Sequence, residues 1–316
     1  MEATYGYTPL SYALIELFVS DSPDFSIAEE LIRQGADVNN QGDDKSENVL
    51  SEILYGYHSN FSGDMSLAKI ISFFLDHGFD VARNKGRHGA QCLCALTFSP
   101  FEREIIDATK MLLDAGALNV PVEDDEPENA TPMSAIGTEQ SFQDIGEGNH
   151  YLGNIYEAVY QIYVALEEGR SYSGIESFEA VIGKNILRII AVGDNIDSIF
   201  TSVDLPTSKH KNCFYHNLFM IFDGGYLICT KYASYWVDTT PINEKTVDVS
   251  EFFFRIIGHK ICQITFDHKS IKKGVTCYGQ PVTTFHFDND VKLTFSINFG
   301  EVEKDDYCSY YYYDDI

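Results

Sequence analysis

The residues whose types and spacing come closest to chemistry are His210-Lys211-Asn212-Cys213-Phe214-Tyr215-His216, where three zinc-ligand types fall three residues apart. On a helix the three would cluster. On a strand, which the surrounding Phe, Tyr and Leu favour, they alternate faces. A structural zinc site wants four ligands, and no returning pair stands elsewhere, so the segment reads as a strand with a buried cysteine and exposed histidines. Cys92 and Cys94 point differently on a helix and read as ordinary helix packing. Gly146-Glu147-Gly148 has the outline of a phosphate loop, but no strand precedes it and Glu147 repels a phosphate; a plain loop is expected. Asp194, Asp197 and Asp204 read as solvated loop acids. The sequence holds no P-loop, H-E-x-x-H, G-x-S-x-G or C-x-x-C motif, so no catalytic residue, metal or cofactor is assigned.

The elements that would position any site differ between the two halves. The chain has 316 residues, 44% of them hydrophobic and 14% aromatic, enough for two folded domains. Its net charge of −26 disfavours nucleic acid and anionic membrane surfaces as partners. Residues 1–170 hold 9 basic and 29 acidic side chains; residues 171–316 hold 13 and 19. No apolar run approaches the roughly 20 residues of a bilayer span, and the opening MEATYGYTPL lacks the basic and apolar regions of a secretory signal. Seven scattered cysteines fit a reducing compartment, so a cytoplasmic location is expected.

Four glycines, Gly35, Gly78, Gly116 and Gly169, each follow a helical pattern. Counting back, positions −4 and −3 are Leu31 and Ile32, Phe74 and Leu75, Leu112 and Leu113, and Ala165 and Leu166. Positions −8 and −7 are Ile27 and Ala28, Ile70 and Ile71, Ala108 and Thr109, and Gln161 and Ile162. These offsets predict a helix with one buried stripe, stopped by a left-handed glycine. After the glycines come Ala36-Asp37-Val38-Asn39, Phe79-Asp80-Val81 and Ala117-Leu118-Asn119. Thr8-Pro9-Leu10-Ser11-Tyr12-Ala13 opens the first unit and Thr131-Pro132-Met133-Ser134-Ala135 the fourth. Units two and three are expected to open near Asn48-Val49-Leu50 and Gln91-Cys92-Leu93.

On these residues the chain resembles the ankyrin repeat, with its T-P-L-H-x-A opening and G-A-D-V-N turn; Ser11 replaces the usual His. The resemblance covers residues 4–120 and extends to about 175. Glycine spacings of 43, 38 and 53 exceed the family's usual 33, which places insertions at Ser20 to Phe25, Tyr55 to Met65, Phe98 to Arg103 and Pro121 to Glu128. The fourth unit, with Phe142 to His150 and Gly169-Arg170-Ser171-Tyr172, resembles a degenerate cap.

From about Lys184 the pattern becomes alternating. Ile186 to Val192, Cys213 to Phe222, Tyr226 to Val237, Ile261 to Phe266, Thr283 to Phe287 and Leu293 to Phe299 are predicted strands, with hairpin turns at Asp223-Gly224-Gly225 and Asp288-Asn289-Asp290. A short helix is predicted from Ser250 to Ile257. Gly258-His259-Lys260-Ile261 with the following hairpin weakly resembles immunity-like domains of bacterial toxin systems. Five tyrosines and six acids fill Glu301 to Ile316; Tyr307 to Tyr313 reads either as a final edge strand or as an anionic arm. The expected fold is α+β in two parts: an ankyrin-type α-solenoid of about four helix pairs over residues 1–175, and a mainly antiparallel sheet domain of six to eight strands with one short helix over 183–316.

The ankyrin resemblance implies that the turns after the glycines project as fingers beside a concave protein-binding groove. The first finger holds Asp43, Asp44 and Glu47 with Lys45; the second is basic, with Arg83, Lys85, Arg87 and His88; the third holds Glu123, Asp124, Asp125, Glu126 and Glu128. This acid–base–acid order predicts a protein partner, basic overall, held in one register. The expected function is non-enzymatic protein binding, in its more specific form an immunity or antitoxin protein. The alternatives are a host-directed effector, or an enzyme or ligand-binding protein whose β domain uses His210, His216, His259, His268 or His286 while the repeats recruit substrate.

Overall fold

The computed structural model describes residues 6–20, 24–42, 47–56, 66–97, 102–122, 131–136, 150–192, 200–203, 211–214, 217–229, 235–268, 281–298 and 308–314. The chain is α+β. It divides into two compact units, the first formed by Met1–Phe142 with Val159–Arg170 and the second by Gln143–Ala158 with Ser171–Ile316.

Five helices start on side-chain caps. α1 (Pro9–Phe18) begins at Thr8, whose Oγ1 accepts the Ser11 N–H at 3.2 Å, and has Pro in its first turn. α2 (Phe25–Arg33) is capped by Asp24 and α4 (Leu67–Asp76) by Ser66. α3 (Val49–Gly56) is capped by Asn48, whose Oδ1 accepts the Ser51 N–H at 2.9 Å. Thr131 does the same for Ser134 at the head of α7 (132–136). α5 (Arg87–Thr97), α6 (Glu102–Asp114) and α8 (His150–Glu167), whose residues are divided between the two units, complete the helices among the described residues.

All four glycines end helices as predicted. Gly35, Gly78, Gly116 and Gly169 have φ of +109°, +85°, +100° and +67°. In each case the next N–H reaches back five residues: Ala36 to Leu31, Phe79 to Phe74, Ala117 to Leu112 and Arg170 to Ala165. The glycine's own N–H reaches back three, the doubled bond of a Schellman cap. α1 packs on α2 and α3, α3 on α4 and α5, α5 on α6, and α4 on α6. Phe18 of α1 sits among Phe25 of α2 and Phe73 and Phe74 of α4, with ring centroids 5.5–5.6 Å away. The third unit opens earlier than expected: α5 starts at Arg87, which leaves Gln91 one turn inside it and buried. The expected insertions fall largely outside the described residues; Phe25, Tyr55, Gly56, Glu102 and Arg103 instead belong to helices.

The second unit holds two antiparallel sheets where one was expected. The first has order β1 (Glu176–Ser177), β7 (Tyr235–Asp238), β6 (Gly225–Cys229), β5 (Leu218–Phe222), β2 (Arg188–Val192), β8 (Thr246–Asp248). The second runs β3 (Phe200–Val203), β4 (Lys211–Phe214), β12 (Cys308–Asp314), β11 (Lys292–Asn298), β10 (Pro281–Phe287), β9 (Ile261–His268). They bury one shared core: the Tyr235 ring of β7 lies 5.6 Å from Phe285 of β10 and 6.1 Å from Phe295 of β11.

Three sequence expectations are corrected here. Cys213 to Phe222 is two strands in different sheets, β4 and β5, and Tyr226 to Val237 is the pair β6 and β7. The helix expected at Ser250 to Ile257 is a single 3-10 turn, Ser250–Phe253, continued by turns to Gly258; a second such turn spans Phe178–Val181. The Tyr-rich tail is neither an edge nor an arm, because β12 pairs with β11 on one side and β4 on the other. Both hairpin turns form where predicted: Asp223-Gly224 joins β5 to β6 with Gly224 at φ +91°, and Asp290 (φ +63°) lies between β10 and β11.

Candidate functional site

The turns after Gly35 and Gly78 are braced by side-chain to backbone hydrogen bonds. After Gly35, the Asp37 carboxylate accepts the Asn39 N–H at 2.9 Å; after Gly78, Asp80 accepts the Ala82 N–H at 3.0 Å. Residues 40–42 and 47–49 then pair antiparallel through the Gln41–Asn48 bridge. Its bonds run from the Gly42 N–H to the Glu47 carbonyl (3.1 Å) and from the Val49 N–H to the Asn40 carbonyl (3.2 Å). The second turn is tighter, with Asn84, Lys85 and Gly86 successively at φ +54°, +61° and +89°. Two non-glycine residues in the left-handed region cost roughly 1–2 kcal/mol each, so surrounding bonds must hold them there.

Those bonds run between turns. The Asn39 amide donates to the Gly78 carbonyl at 2.8 Å and accepts the Asp80 N–H at 2.7 Å. Arg83 Nη1 donates to the Asn39 carbonyl at 2.9 Å, and Asn84 Nδ2 donates to Gln41 Oε1 at 2.9 Å. Asn40 Oδ1 accepts the Thr8 N–H at 2.7 Å. Farther along, Asn119 accepts the Met133 N–H at 3.0 Å and donates to Glu167 at 2.8 Å. Asn39 thus ties the first turn to the second, and Asn119 ties the third to α7 and α8.

The structure places the expected partner-binding residues unevenly. Arg83 and Lys85 are exposed on the second turn, and Glu47 is exposed at the foot of the first. Arg87 is half-buried at the start of α5 and engaged within the chain. Asp43, Asp44, Asp124 and Asp125 lie outside the described residues. His88, counted with the basic turn, is instead fully buried and stacked on Phe79 at 5.9 Å, with both ring nitrogens unpartnered. Burial first, then the Arg83 charge, holds its imidazole below the ordinary histidine range.

Sequence reasoning missed three groups. Glu52 lies in the first turn of α3, and burial together with a hydrogen bond to Glu47 pushes its carboxyl up to about 7. Tyr7 is only 3% exposed and its hydroxyl has no hydrogen-bond partner. Asn48 links caps: besides capping α3, its amide donates to the His88 carbonyl at 3.0 Å and to Gln91 at 2.8 Å. Asparagine one residue after a G-A-D-V run was the signal that Asn39 gave; Asn48 carried none beyond its capping type.

Other expected chemistry is dispersed. Burial pushes the Cys92 thiol up and the Cys94 thiol to about 12, so neither is a ready nucleophile. Lys211–Phe214 is strand, while His210, His216, Gly146, Glu147, Gly148, Asp194, Asp197 and Asp204 lie outside the described residues. No group of His, Cys, Asp and Glu among the described residues is arranged to hold a metal ion. In the second unit His259 Nδ1 meets Asp288 at 2.9 Å and His286 Nε2 meets Thr265 at 2.8 Å, in separate pairs. No helix among the described residues is long and apolar enough to cross a membrane. No family model matches the chain, and neither a curated protein nor a solved structure matches it.

Proposed function

We propose that the chain is a non-enzymatic protein-binding module whose first unit is an ankyrin-type stack and whose turn face takes a partner that is basic overall. What supports this reading is Asn39, whose hydrogen bonds tie the turn after Gly35 to the turn that carries exposed Arg83 and Lys85. Charge complementarity steers and orients a partner, and the excess acid of residues 1–170 favours a basic one. Exposed Arg83 and Lys85 then meet a local acidic patch on that partner. An immunity or antitoxin role, capping a basic toxin, is the more specific form.

Co-expression with the product of the adjacent gene, followed by capture on the tagged chain, tests both levels. A basic protein retained by the native chain and released by Arg83→Glu with Lys85→Glu supports the turn face. Retention unchanged by that double reversal removes the second turn from the interface, and an adjacent product that is never retained removes the immunity form.

A further inference from the structure

Two segments of the second unit, residues 182–188 and 250–260, hold four of the seven large apolar side chains exposed among the described residues: Ile182, Leu187, Phe252 and Phe254. Phe254 is 73% exposed and Leu187 53%, while their neighbours Phe253, Ile256 and Ile186 are fully buried in the core between the sheets. The inner side chains therefore fix the segments and leave the outer ones to solvent. Backbone bonds hold the two segments together. The Gly258 N–H donates to the Ile186 carbonyl at 2.7 Å, the Ile186 N–H to the His259 carbonyl at 3.0 Å and the Gly183 N–H to the Ile261 carbonyl at 2.7 Å. Farther along, the Ile189 N–H donates to Ser250 Oγ at 2.9 Å. The turn that carries both phenylalanines is thus tied down on either side of Leu187. Exposed apolar residues scattered singly are ordinary, but four gathered on one anchored pair of segments are the mark of an interaction surface.

Charge around this surface runs against the rest of the chain. The two segments hold Lys184, Arg188, Arg255 and Lys260 against Glu251 alone, in a chain of net charge −26. Lys184, Arg188 and Lys260 are exposed, and their side chains make no hydrogen bond or ion pair among the described residues. The acids at the margin are already occupied: Asp248 accepts the Ser250 N–H at 2.9 Å, Asp288 meets His259 Nδ1 at 2.9 Å, and Glu179 is engaged within the chain. We infer that this surface docks a short segment of a protein partner in which apolar side chains stand between acidic ones. The apolar groups cover Leu187 and Phe254, and the carboxylates meet Lys184, Arg188 and Lys260. Two other occupants fit worse. A second copy would set the patch against itself, cation to cation, as two-fold contacts do. An anionic membrane is an extended surface that meets the whole acidic chain, whereas a short segment answers to charges within a screening length of about 8 Å. The inference stands apart from the turn-face reading, which concerns the first unit.

The test uses the full chain with 13C-labelled leucine and isoleucine methyls, titrated with three acetylated, amidated peptides: EDLFDE, its uncharged counterpart QNLFNQ and its polar counterpart EDSSDE. EDLFDE should shift the Leu187 and Ile182 methyl resonances to saturation, and each counterpart should bind about tenfold more weakly. Phe254→Ser, which changes only an exposed ring, should weaken EDLFDE about tenfold, and Arg188→Glu with Lys260→Glu should do the same and remove its salt dependence. Leu187 and Ile182 methyls that ignore EDLFDE, or that answer QNLFNQ at the same concentration, overturn the docking surface. Peptide binding lost in the Arg83→Glu, Lys85→Glu chain but indifferent to Phe254→Ser puts the peptide on the turn face and also overturns it, leaving the turn-face reading intact. A dimer in sedimentation that Phe254→Ser dissolves gives the patch to a second copy. Pelleting with phosphatidylserine vesicles that the same variant abolishes gives it to a membrane, and either result overturns the inference.

Discussion

Gly89 of α5 and Ala117 of the turn after α6 touch so closely that a Cβ on Gly89 would lie 2.6 Å from the Ala117 Cβ and 3.1 Å from the Val81 carbonyl oxygen. The close approach lets α5 seat directly on the neighbouring turns. Gly89→Ala should therefore destabilise the chain by about 1–3 kcal/mol through overpacking, and Ala117→Gly in the same chain should recover part of the loss. Gly78→Ala provides the contrast. Its Cβ would meet nothing within 4 Å, but φ of +85° makes it cost about 1 kcal/mol, with no rescue from any neighbour. Urea unfolding of the three single variants and the double variant reads both values.

Asn48 carries a cap and a bridge at once, fully buried. Asn48→Ala removes the cap of α3 and leaves Gln91 Oε1 and the His88 carbonyl without their donor. The expected loss is about 2–4 kcal/mol, and Asn48→Ser, which keeps an acceptor for the Ser51 N–H, should restore about 1 kcal/mol of it. Equal losses for Ala and Ser would place the whole effect in the bridge.

His88 makes stability depend on pH. Its folded-state pKa is depressed, so below about 6.5 the unfolded chain takes up a proton that the folded chain refuses. Stability is full above that value and falls as pH drops toward the folded pKa, by at most about 1.4 kcal/mol per pH unit. His88→Phe should remove this slope while keeping the stack on Phe79. The measurement is the stability difference between the two chains at pH 7.5 and pH 5; a difference that does not change with pH would refute the assignment.

What was legible in the sequence follows the range of the interaction concerned. The four glycine caps are local, set by bonds that close within six residues, and Gly35, Gly78, Gly116 and Gly169 all announce themselves. The Thr8 and Thr131 caps are equally short-range. Sheet membership is not: β4 and β5 are three residues apart in the chain yet lie in different sheets, and β12 inserts between β4 and β11 from the far end of the sequence. Alternation records that a segment is strand, not which neighbour it takes. The candidate site divides the same way. Glu47, Arg83 and Lys85 were visible as charges on a turn, while His88, in the same charged run, is turned inward by packing against Phe79. Glu52 reads as an ordinary residue of a helix start; burial in the fold, then Glu47, pushes its carboxyl up.

Tyr163 of α8 has a fully buried ring and a hydroxyl with no hydrogen-bond partner. A buried unmade hydrogen bond costs about 1–3 kcal/mol, whereas the ring itself contributes the packing. Tyr163→Phe keeps that ring and deletes only the oxygen, so it should stabilise the chain by about 1 kcal/mol, a rise of about 2–4 °C in Tm for a unit of this size. Tyr163→Ala is the control that must go the other way, losing about 3–5 kcal/mol by analogy with other buried aromatic truncations. If Tyr163→Phe is instead destabilising, the hydroxyl has a partner in solution, and the interior of the helical unit admits a water at that point.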